Sequence, residues 1–405
     1  MAASKFARKL KSLITVSCSS GVLLGLLLYR ENDEKFFSNF LMPTSRFLFS
    51  QKTCNKLALF FCKWNLLPRN DYVDSYRLTT NICGIELNNC IGLAAGFDRN
   101  GDAIKNLHKL GFSFIEIGTI TPEPIEDELI KYVDDKIANN RYDSINKGIA
   151  YSVPKMRNLR RKEEYTGIIG FNIGKNSNSS FLKDISLGIK VYSPVANYIT
   201  INIESEASTN PSEILKQKEN LREVLTEVNK ARLLFDIEKQ RPIFLKLSPE
   251  LTLNELKDII EVTKEKNCKV HGFIISNTRL KEKKRNENPE GKYKAQAIEN
   301  DENISLREKS TQMLKDVYKL TNGKSTLIGV GEITCGQDAY EKILAGASAV
   351  QIFSSFIDHG PPIINKIKRE LNDLLQENGY ENVKEAVGKE VKLENKGWFN
   401  FFRFR

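Results

Sequence analysis

The sequence predicts an α/β protein whose main domain is a (β/α)8 TIM barrel, preceded by an N-terminal membrane anchor and a small helical domain. Eight short apolar runs lie between residues 91 and 356, and segments with helical periodicity separate most of them. Alternating strands and helices predict a parallel sheet, and eight such units close it into a barrel. The 405 residues, 40% of them hydrophobic, can bury one large core and a smaller appendage.

Each predicted strand is a short apolar run of the kind that is buried on both faces. The eight runs are residues 91–97, 114–120, 167–174, 198–205, 243–248, 272–278, 326–332 and 349–356. Segments such as 219–235 and 336–347 repeat apolar residues at helical spacing between the runs. The barrel prediction therefore rests on one pattern that recurs along most of the chain.

Nearly every predicted strand ends in or beside polar residues, at the carboxyl end where a barrel carries its chemistry. They are Asp98, Arg99, Thr119, Asn172, Lys175, Asn202, Ser205, Lys246, Ser248, Asn277, Thr278, Ser354 and Ser355. Any one of them is more often a turn or cap residue than a ligand, because Asn, Ser and Asp favour strand ends. Their convergence on one rim favours a binding site. Many amides and few acids suit a planar ligand rich in heteroatoms, with Lys246 available for a negative charge.

The first thirty residues differ from the rest of the chain. They contain no acidic residue, and a basic head precedes an apolar run at residues 13–29. Three interpretations are open: a secretory signal peptide, a mitochondrial address with a membrane anchor, and a buried helix. The run is close to the minimum that spans a hydrocarbon core, about 17 to 25 residues. The acid-free head and the absence of an A-x-A cleavage site favour the mitochondrial address with an anchor.

Phenylalanines and leucines are concentrated at helical spacing in residues 35–69. They form two short amphipathic segments, which Pro43 and Pro68 interrupt. One interpretation is a helical cap whose apolar face packs on the main domain. The other is a hairpin that opens a path for a lipid-soluble molecule, which its position after a membrane anchor favours.

Charge and cysteine content argue against several other functions. The net charge is +10, but Lys and Arg are dispersed and partly offset by acids, so we predict no nucleic-acid partner. The seven cysteines form no CxxC pair, and none of the three histidines lies within helical reach of another. We therefore predict free thiols and no metal site.

Between residues 37 and 388 the sequence resembles the membrane-bound, quinone-dependent dihydroorotate dehydrogenases. The motifs that carry the resemblance include FLMPT, GLAAGFDRNG, GFNIGKN, NYITINIES, FLKLSPELT, LREKSTQ and GQDAYEKILAGASAVQIF. The resemblance implies four regions: an address and single-pass anchor in the mitochondrial inner membrane at residues 1–30, a helical quinone-tunnel hairpin at 31–70, a TIM-barrel domain that binds FMN at 71–390, and an aromatic and basic tail at 391–405. The implied partners are dihydroorotate, orotate, ubiquinone and membrane lipid.

The resemblance also implies residue roles. In the family a base removes one proton from dihydroorotate, a hydride passes to the flavin, and the flavin reduces ubiquinone. Ser205 matches the position of the base, and a serine is a weak base that needs a hydrogen-bonded relay. The implied substrate residues are Arg99, Asn140, Asn202, Asn277 and Thr278. The implied FMN residues are Ala94, Ala95, Gly96, Thr119, Asn172, Asn202, Lys246, Ser276, Gly331, Phe353 and Ser354. The implied tunnel residues are Phe40, Leu41, Met42, Pro43 and Lys131.

Several positions depart from the family pattern around the substrate and in the tunnel. Arg99 replaces a lysine, which keeps the charge but changes the hydrogen-bond geometry. Two residues next to the proton path replace a glycine and an aromatic, and two residues after the base replace a proline and an amide. A new carboxylate close to an anionic substrate is unfavourable on charge grounds. The loop substitutions are Asp143, Ser144, Glu206 and Ala207. In the tunnel, Phe40 replaces a histidine and Lys131 an arginine.

The phosphate end of the family's FMN site departs most. Residues 299–306 contain no glycine, although glycine there lets backbone N–H groups approach a phosphate closely. Glu332 follows Gly331 in a turn that would otherwise offer only backbone to the phosphate. Two hypotheses therefore stand: a working flavin dehydrogenase, and a membrane-anchored barrel that has lost FMN and acts as a partner protein.

Overall fold

The computed structural model describes residues 15, 19–68, 70–126, 145–162, 165–176, 179–203, 217–276 and 305–393. Eight parallel strands close into a barrel with the order β10-β3-β4-β5-β6-β7-β8-β9. The barrel strands are β3 (Ile91–Leu93), β4 (Phe114–Ile120), β5 (Ile168–Ile173), β6 (Tyr198–Asn202), β7 (Ile243–Leu247), β8 (Gly272–Ile275), β9 (Thr326–Val330) and β10 (Ala349–Ile352). A two-stranded antiparallel hairpin, β1 (Thr80–Ile82) and β2 (Ile85–Leu87), precedes them.

All eight predicted barrel strands are confirmed, and most end earlier than the apolar run from which they were predicted. β3 ends at Leu93 and β9 at Val330, and the backbone then turns through Gly96 (φ +116°) and Gly331 (φ +108°). Positive φ takes the chain out of the ladder at low cost only where the residue lacks a Cβ. Gly96 and Gly331 therefore lie on turns at the carboxyl rim, whereas Thr119, Asn172, Asn202 and Lys246 lie in the last residues of their strands.

Helices separate the barrel strands and cover the sheet. They are α1 (Glu34–Phe36), α2 (Met42–Leu48), α3 (Gln51–Lys63), α4 (Ile104–Lys109), α5 (Gly148–Lys162), α6 (Phe181–Tyr192), α7 (Lys218–Leu233), α8 (Leu253–Thr263), α9 (Leu306–Leu320), α10 (Gly336–Leu344), α11 (Ser354–His359), α12 (Pro362–Glu377) and α13 (Val383–Ala386). The start of α9 illustrates why they begin where they do: the Ser305 hydroxyl accepts from the Glu308 N–H and the Glu308 carboxylate accepts from the Ser305 N–H. This capping box satisfies two backbone donors.

Aromatic side chains fill the amino-terminal half of the barrel interior. The ring of Tyr198 packs edge-on against Phe244 and Phe114, with centroids 5.3 and 6.4 Å away. Glycines make the space, since a Cβ on Gly170 would lie 2.0 Å from the Tyr198 ring. Such close packing makes this end of the barrel a core and not a channel.

A buried ion pair ties α12 to the segment before β3. The Lys368 side chain is fully buried, and its Nζ lies 2.8 Å from Asp74 Oδ1 and also donates to the Gly111 carbonyl. The Asn89 amide donates to the other Asp74 oxygen at 2.6 Å. A buried charge is tolerated only when it is paired and hydrogen-bonded in this way.

The N-terminal hairpin is helical, as predicted, but Pro43 does not interrupt it. A π-helical segment, Phe37–Leu41, joins α1 directly to α2, and Pro43 occupies the first turn of α2. Proline is tolerated there because it has no N–H to donate and its φ is already helical. The chain therefore turns back only between α2 and α3.

In the part of the chain that the structure describes, no helix is long and apolar enough to cross a membrane. Residues 19–30 are helical, whereas residues 1–14 and 16–18, which include part of the predicted anchor, lie outside the described residues. The anchor and the division of the chain into four regions stay predictions.

Candidate active site

Side chains from three adjacent strands form a hydrogen-bonded chain at the carboxyl rim, which we call the amide chain. The Asn202 amide donates to Thr119 Oγ1 at 3.1 Å, and the Thr119 hydroxyl donates to Asn172 Oδ1 at 2.8 Å. Asn172 is fully buried and Asn202 nearly so. The amide chain brings together three of the side chains predicted to contact FMN.

A glutamate inside the barrel holds the lower end of the amide chain. The Asn172 amide donates to Glu116 Oε1 at 2.8 Å, and Glu116 Oε2 accepts from Gln351, Tyr198 and Thr200 at 3.0, 3.2 and 3.2 Å. Burial and this acidic neighbour raise the pKa of the Tyr198 phenol, so it stays a donor. The network fixes the orientation of the Asn172 side-chain amide. Its NH₂ group donates to Glu116 inside the barrel, so its Oδ1 is the atom that accepts from Thr119.

Sequence reasoning missed Glu116, although the sequence contains a signal for it. The run FIEIGTI places one acid in the middle of an apolar strand, and such an acid must be paired when the strand is buried. Gln351 in AVQIF is the equivalent signal in β10. The sequence does not reveal that the two residues meet, because they are 235 positions apart.

Lys246 lies beside Asn202, since the two residues are register partners across β6 and β7. Lys246 is 6% exposed, and Ser276, which follows the neighbouring strand β8, is also buried. Asn202 Oδ1 is buried and accepts no hydrogen bond from any described residue. A buried acceptor without a donor is uncommon in native structures and points to a bound group that supplies one.

The loop after β3 carries four further predicted site residues. Ala94 donates its N–H to the Ile352 carbonyl at 3.0 Å, and Gly96 donates its N–H to the Gly118 carbonyl at 2.7 Å. Ala95 and Arg99 are half-buried. These contacts place the loop over the ends of β3, β4 and β10.

Asp98 shapes this loop but has its partners in the backbone. Its fully buried carboxylate accepts the N–H groups of Asp102 and Ala103, at 2.6 and 2.7 Å, just before α4. Burial raises the pKa of Asp98 to about 6. We conclude that Asp98 is a cap for the loop and not a ligand.

The turn after β9 contains Glu332, which adopts a left-handed conformation (φ +47°) directly after Gly331. The exposed Glu332 side chain reaches the first turn of α9, where its Oε2 accepts the N–H of Arg307 at 3.1 Å. Gly331 is buried, and a Cβ there would lie 3.3 Å from Ser310 Oγ. Phe353 and Ser354 follow β10 at the next position around the rim, half-buried and exposed respectively.

The hairpin of α2 and α3 docks at the same end of the barrel as the amide chain. Phe37 and Met42 pack on Gly360, which ends α11, and Arg46 pairs with Asp358 at 3.1 Å. Helix α11 starts directly after β10, so the hairpin reaches the rim. Of the predicted tunnel residues, Phe40 is 61% exposed, Pro43 is exposed, and Leu41 and Met42 are half-buried.

Several predicted residues lie outside the described residues. They are the predicted base Ser205, the substrate residues Asn140, Asn277 and Thr278, and the tunnel residue Lys131. Their roles, like those of the described site residues, stay predictions.

Comparison with known proteins gives one consistent result. A family model described as Dihydroorotate dehydrogenase matches residues 77–375. The mitochondrial dihydroorotate dehydrogenase (quinone) of Mus musculus is 33% identical over 379 residues, covering 91% of this chain and 94% of the mouse protein. Dihydroorotate dehydrogenase (quinone) of Parvibaculum lavamentivorans is 33% identical over 364 residues, 87% of this chain and 99% of the bacterial protein. A crystal structure of ligand-free DHODH from Eimeria tenella superposes with a TM-score of 0.72 at 29% identity, covering 84% of this chain and 99% of that one.

Proposed function

Because this chain belongs to the dihydroorotate dehydrogenase family, we propose that it oxidises dihydroorotate to orotate in pyrimidine synthesis, with FMN bound and a quinone as the electron acceptor. The amide chain carries the proposal, since it ends in a buried acceptor, Asn202 Oδ1, beside Lys246 at the carboxyl rim. The names of the mouse and Parvibaculum relatives favour this function over the non-enzymatic alternative.

The groups at the rim fit the ring system of a flavin. A flavin ring offers N–H and C=O groups along one edge, so its site needs both an acceptor and donors. Asn202 Oδ1 is an acceptor, and Lys246 is a cation suited to an electron-rich ring. Gly96 lies against the Phe353 ring, since a Cβ there would be in van der Waals contact with the ring at 3.7 Å.

In this proposal the chain's own side chains bind, orient and deprotonate the substrate. FMN, when bound, supplies the group that accepts a hydride from dihydroorotate. Asn172 and Asn202 would hold the ring, because the Glu116 network and Thr119 fix their orientation. Arg99 would hold the substrate carboxylate as a charged donor. Ser205, which follows Asn202 by three residues, would accept the proton.

We also propose that the quinone enters between the N-terminal helices. Support comes from an apolar connection to the rim: Phe37 and Met42 pack on Gly360 of α11, and the Phe356 ring in that helix stacks edge-on against Phe97 at 5.1 Å. The outer face of the hairpin is apolar and exposed, with Phe47 90% and Trp64 62% accessible. Exposed apolar patches of this kind favour contact with lipid.

A mitochondrial inner-membrane location with a single-pass anchor completes the proposal. Residues 1–30 have the acid-free, basic composition of a mitochondrial address, and four of the five leucines of helical residues 19–30 are exposed. A fusion of the full chain to a fluorescent protein should colocalise with mitochondria and remain in the pellet after alkaline carbonate extraction. Release into the supernatant would contradict the anchor but not the enzyme.

The function is tested with the full chain purified in detergent. Flavin released by heat is quantified against protein, and dihydroorotate-dependent reduction of a short-chain ubiquinone is followed. Ser205→Ala should lose at least about 100-fold in rate, since positioned bases contribute about that factor or more. Ser348→Ala, just before β10 at the opposite end of the barrel, is the matched control and should keep the wild-type rate. Bound flavin without turnover, or a fully active Ser205→Ala, would refute the assignment.

A further inference from the structure

The turn after β9 has the position and the backbone conformation of an anion-binding turn, but it also carries an anionic side chain, Glu332. β9 and β10 are the seventh and eighth barrel strands, and the loops after these strands commonly form a phosphate site in TIM barrels. Gly331 and Glu332 both have positive φ, +108° and +47°. A side chain in the left-handed region is strained, so the turn keeps a glycine-type backbone while it presents a carboxylate.

The Glu332 carboxylate already binds a backbone donor at this site. Its Oε2 accepts the Arg307 N–H at 3.1 Å, in the first turn of the 15-residue helix α9. Backbone N–H groups at a helix start, together with the helix dipole, are the usual partners of a phosphate. Here a side-chain anion of the protein takes the place of a ligand anion.

The neighbouring cations do not neutralise the negative charge of the Glu332 carboxylate. The Arg307 guanidinium pairs with Asp338 and lies 3.8 Å from Glu341. Asp338 in turn accepts the N–H groups of Thr334 and Cys335, so it is held in place.

Lys342 is the second cation of the cluster, and it is fully buried, donating to Ser310 Oγ at 2.6 Å. Burial lowers the pKa of Lys342 to about 8, and Asp338, Arg307, Glu332 and Glu341 are its charged neighbours. With Lys342 charged, the cluster has three carboxylates and two cations, and it is therefore net negative by one charge.

We propose that Glu332 sets the cofactor selectivity of this site. Its carboxylate repels the phosphate of FMN, so the protein binds riboflavin, which lacks the phosphate, at least as tightly as it binds FMN. The proposal rests on the proposed function, because it assumes that the ring system of a flavin occupies the carboxyl rim. It deepens that function by assigning the form of the flavin to one side chain.

Binding of the two flavins to the full chain tests the proposal without any turnover assay. Flavin is removed from the detergent-purified protein, and quenching of flavin fluorescence gives dissociation constants for FMN and for riboflavin. In the wild type the ratio Kd(FMN)/Kd(riboflavin) should be one or higher. Glu332→Gln keeps the acceptor for the Arg307 N–H but removes the charge, so this ratio should fall by roughly tenfold or more.

Two further variants separate charge from backbone effects. Glu332→Gly restores a residue suited to positive φ and should lower the same ratio. Glu385→Gln is the matched control, because the Glu385 carboxylate also accepts a backbone N–H, that of Glu381 at 2.9 Å, but belongs to a different helix, α13. Its ratio should stay within about twofold of the wild type. Circular dichroism confirms that each variant is folded.

The outcomes distinguish this inference from the proposed function. FMN binding tighter than riboflavin in the wild type, a ratio below one, would overturn the role of Glu332 and leave the dehydrogenase intact. An unchanged ratio in Glu332→Gln would also overturn it. Failure of the folded wild type to bind either flavin would overturn the proposed function and the inference with it.

Discussion

Glu116 is the residue whose replacement should be most informative, because one carboxylate satisfies four buried donors. Asn172, Gln351, Tyr198 and Thr200 donate to it at 2.8 to 3.2 Å. Each buried donor left without a partner costs about 1 to 3 kcal/mol. Gln351 and Tyr198 lie 3.4 Å apart and can partly satisfy each other. We therefore expect Glu116→Ala to lose about 4 kcal/mol of the free energy of unfolding.

Glu116→Gln separates the loss of hydrogen bonds from the loss of volume. Glutamine fills the same space, but its amide N–H₂ faces side chains that donate, so we expect a loss of about 2 kcal/mol. Both variants should also weaken flavin binding by about tenfold, since Asn172 loses the partner that orients it, and each 1.4 kcal/mol corresponds to that factor.

Urea unfolding followed by circular dichroism gives the stability, and fluorescence quenching gives the flavin affinity. If Glu116→Ala is too unstable to purify, Glu116→Gln still supplies both measurements. A loss below 1 kcal/mol in Glu116→Ala, or unchanged flavin affinity in both variants, would refute the claim that this network supports the site.

Three further predictions concern buried charges. Lys368→Met should lose about 2 kcal/mol, less than for a fully buried pair, because it leaves the half-buried Asp74 carboxylate without its cation. Asp74→Asn in the same chain should restore part of this loss, and no recovery in the urea midpoint would contradict the ion pair. The pKa of Asp98 is raised from 3.8 to about 6 in the folded protein, so the folded protein binds this proton more tightly than the unfolded chain does. The Asp98 contribution to stability should therefore fall as pH rises from about 4 to 6, and Asp98→Asn should remove that fall. Burial lowers the pKa of His108 from 6.5 to about 4, so the His108 contribution to stability should rise as pH rises over the same range, and His108→Phe should flatten that rise. For either residue, identical pH profiles of the variant and the wild type would contradict the assignment.

The alternation of apolar runs and helical segments was sufficient to predict the barrel, because each strand of a parallel sheet must be apolar on both faces. The same pattern predicted polar residues at the carboxyl ends of the strands, and Thr119, Asn172 and Asn202 do meet at that rim. Strand ends were predicted less well. The backbone leaves the ladder at positive φ, as at Gly331, and an apolar run does not record that turn.

The sequence by itself determined the fold, the family and the residue types at the rim, since these depend on local periodicity and on motifs that are contiguous in the chain. Only the tertiary structure decided which groups are paired. Glu116 and Gln351 meet across 235 residues, and Glu332 reaches a backbone N–H 25 residues away in α9. Contacts of this kind arise when the barrel closes, because closure brings together strand ends that share no local pattern. The same closure leaves Asn202 Oδ1 without a donor among the described residues and turns a row of amides into a candidate flavin site.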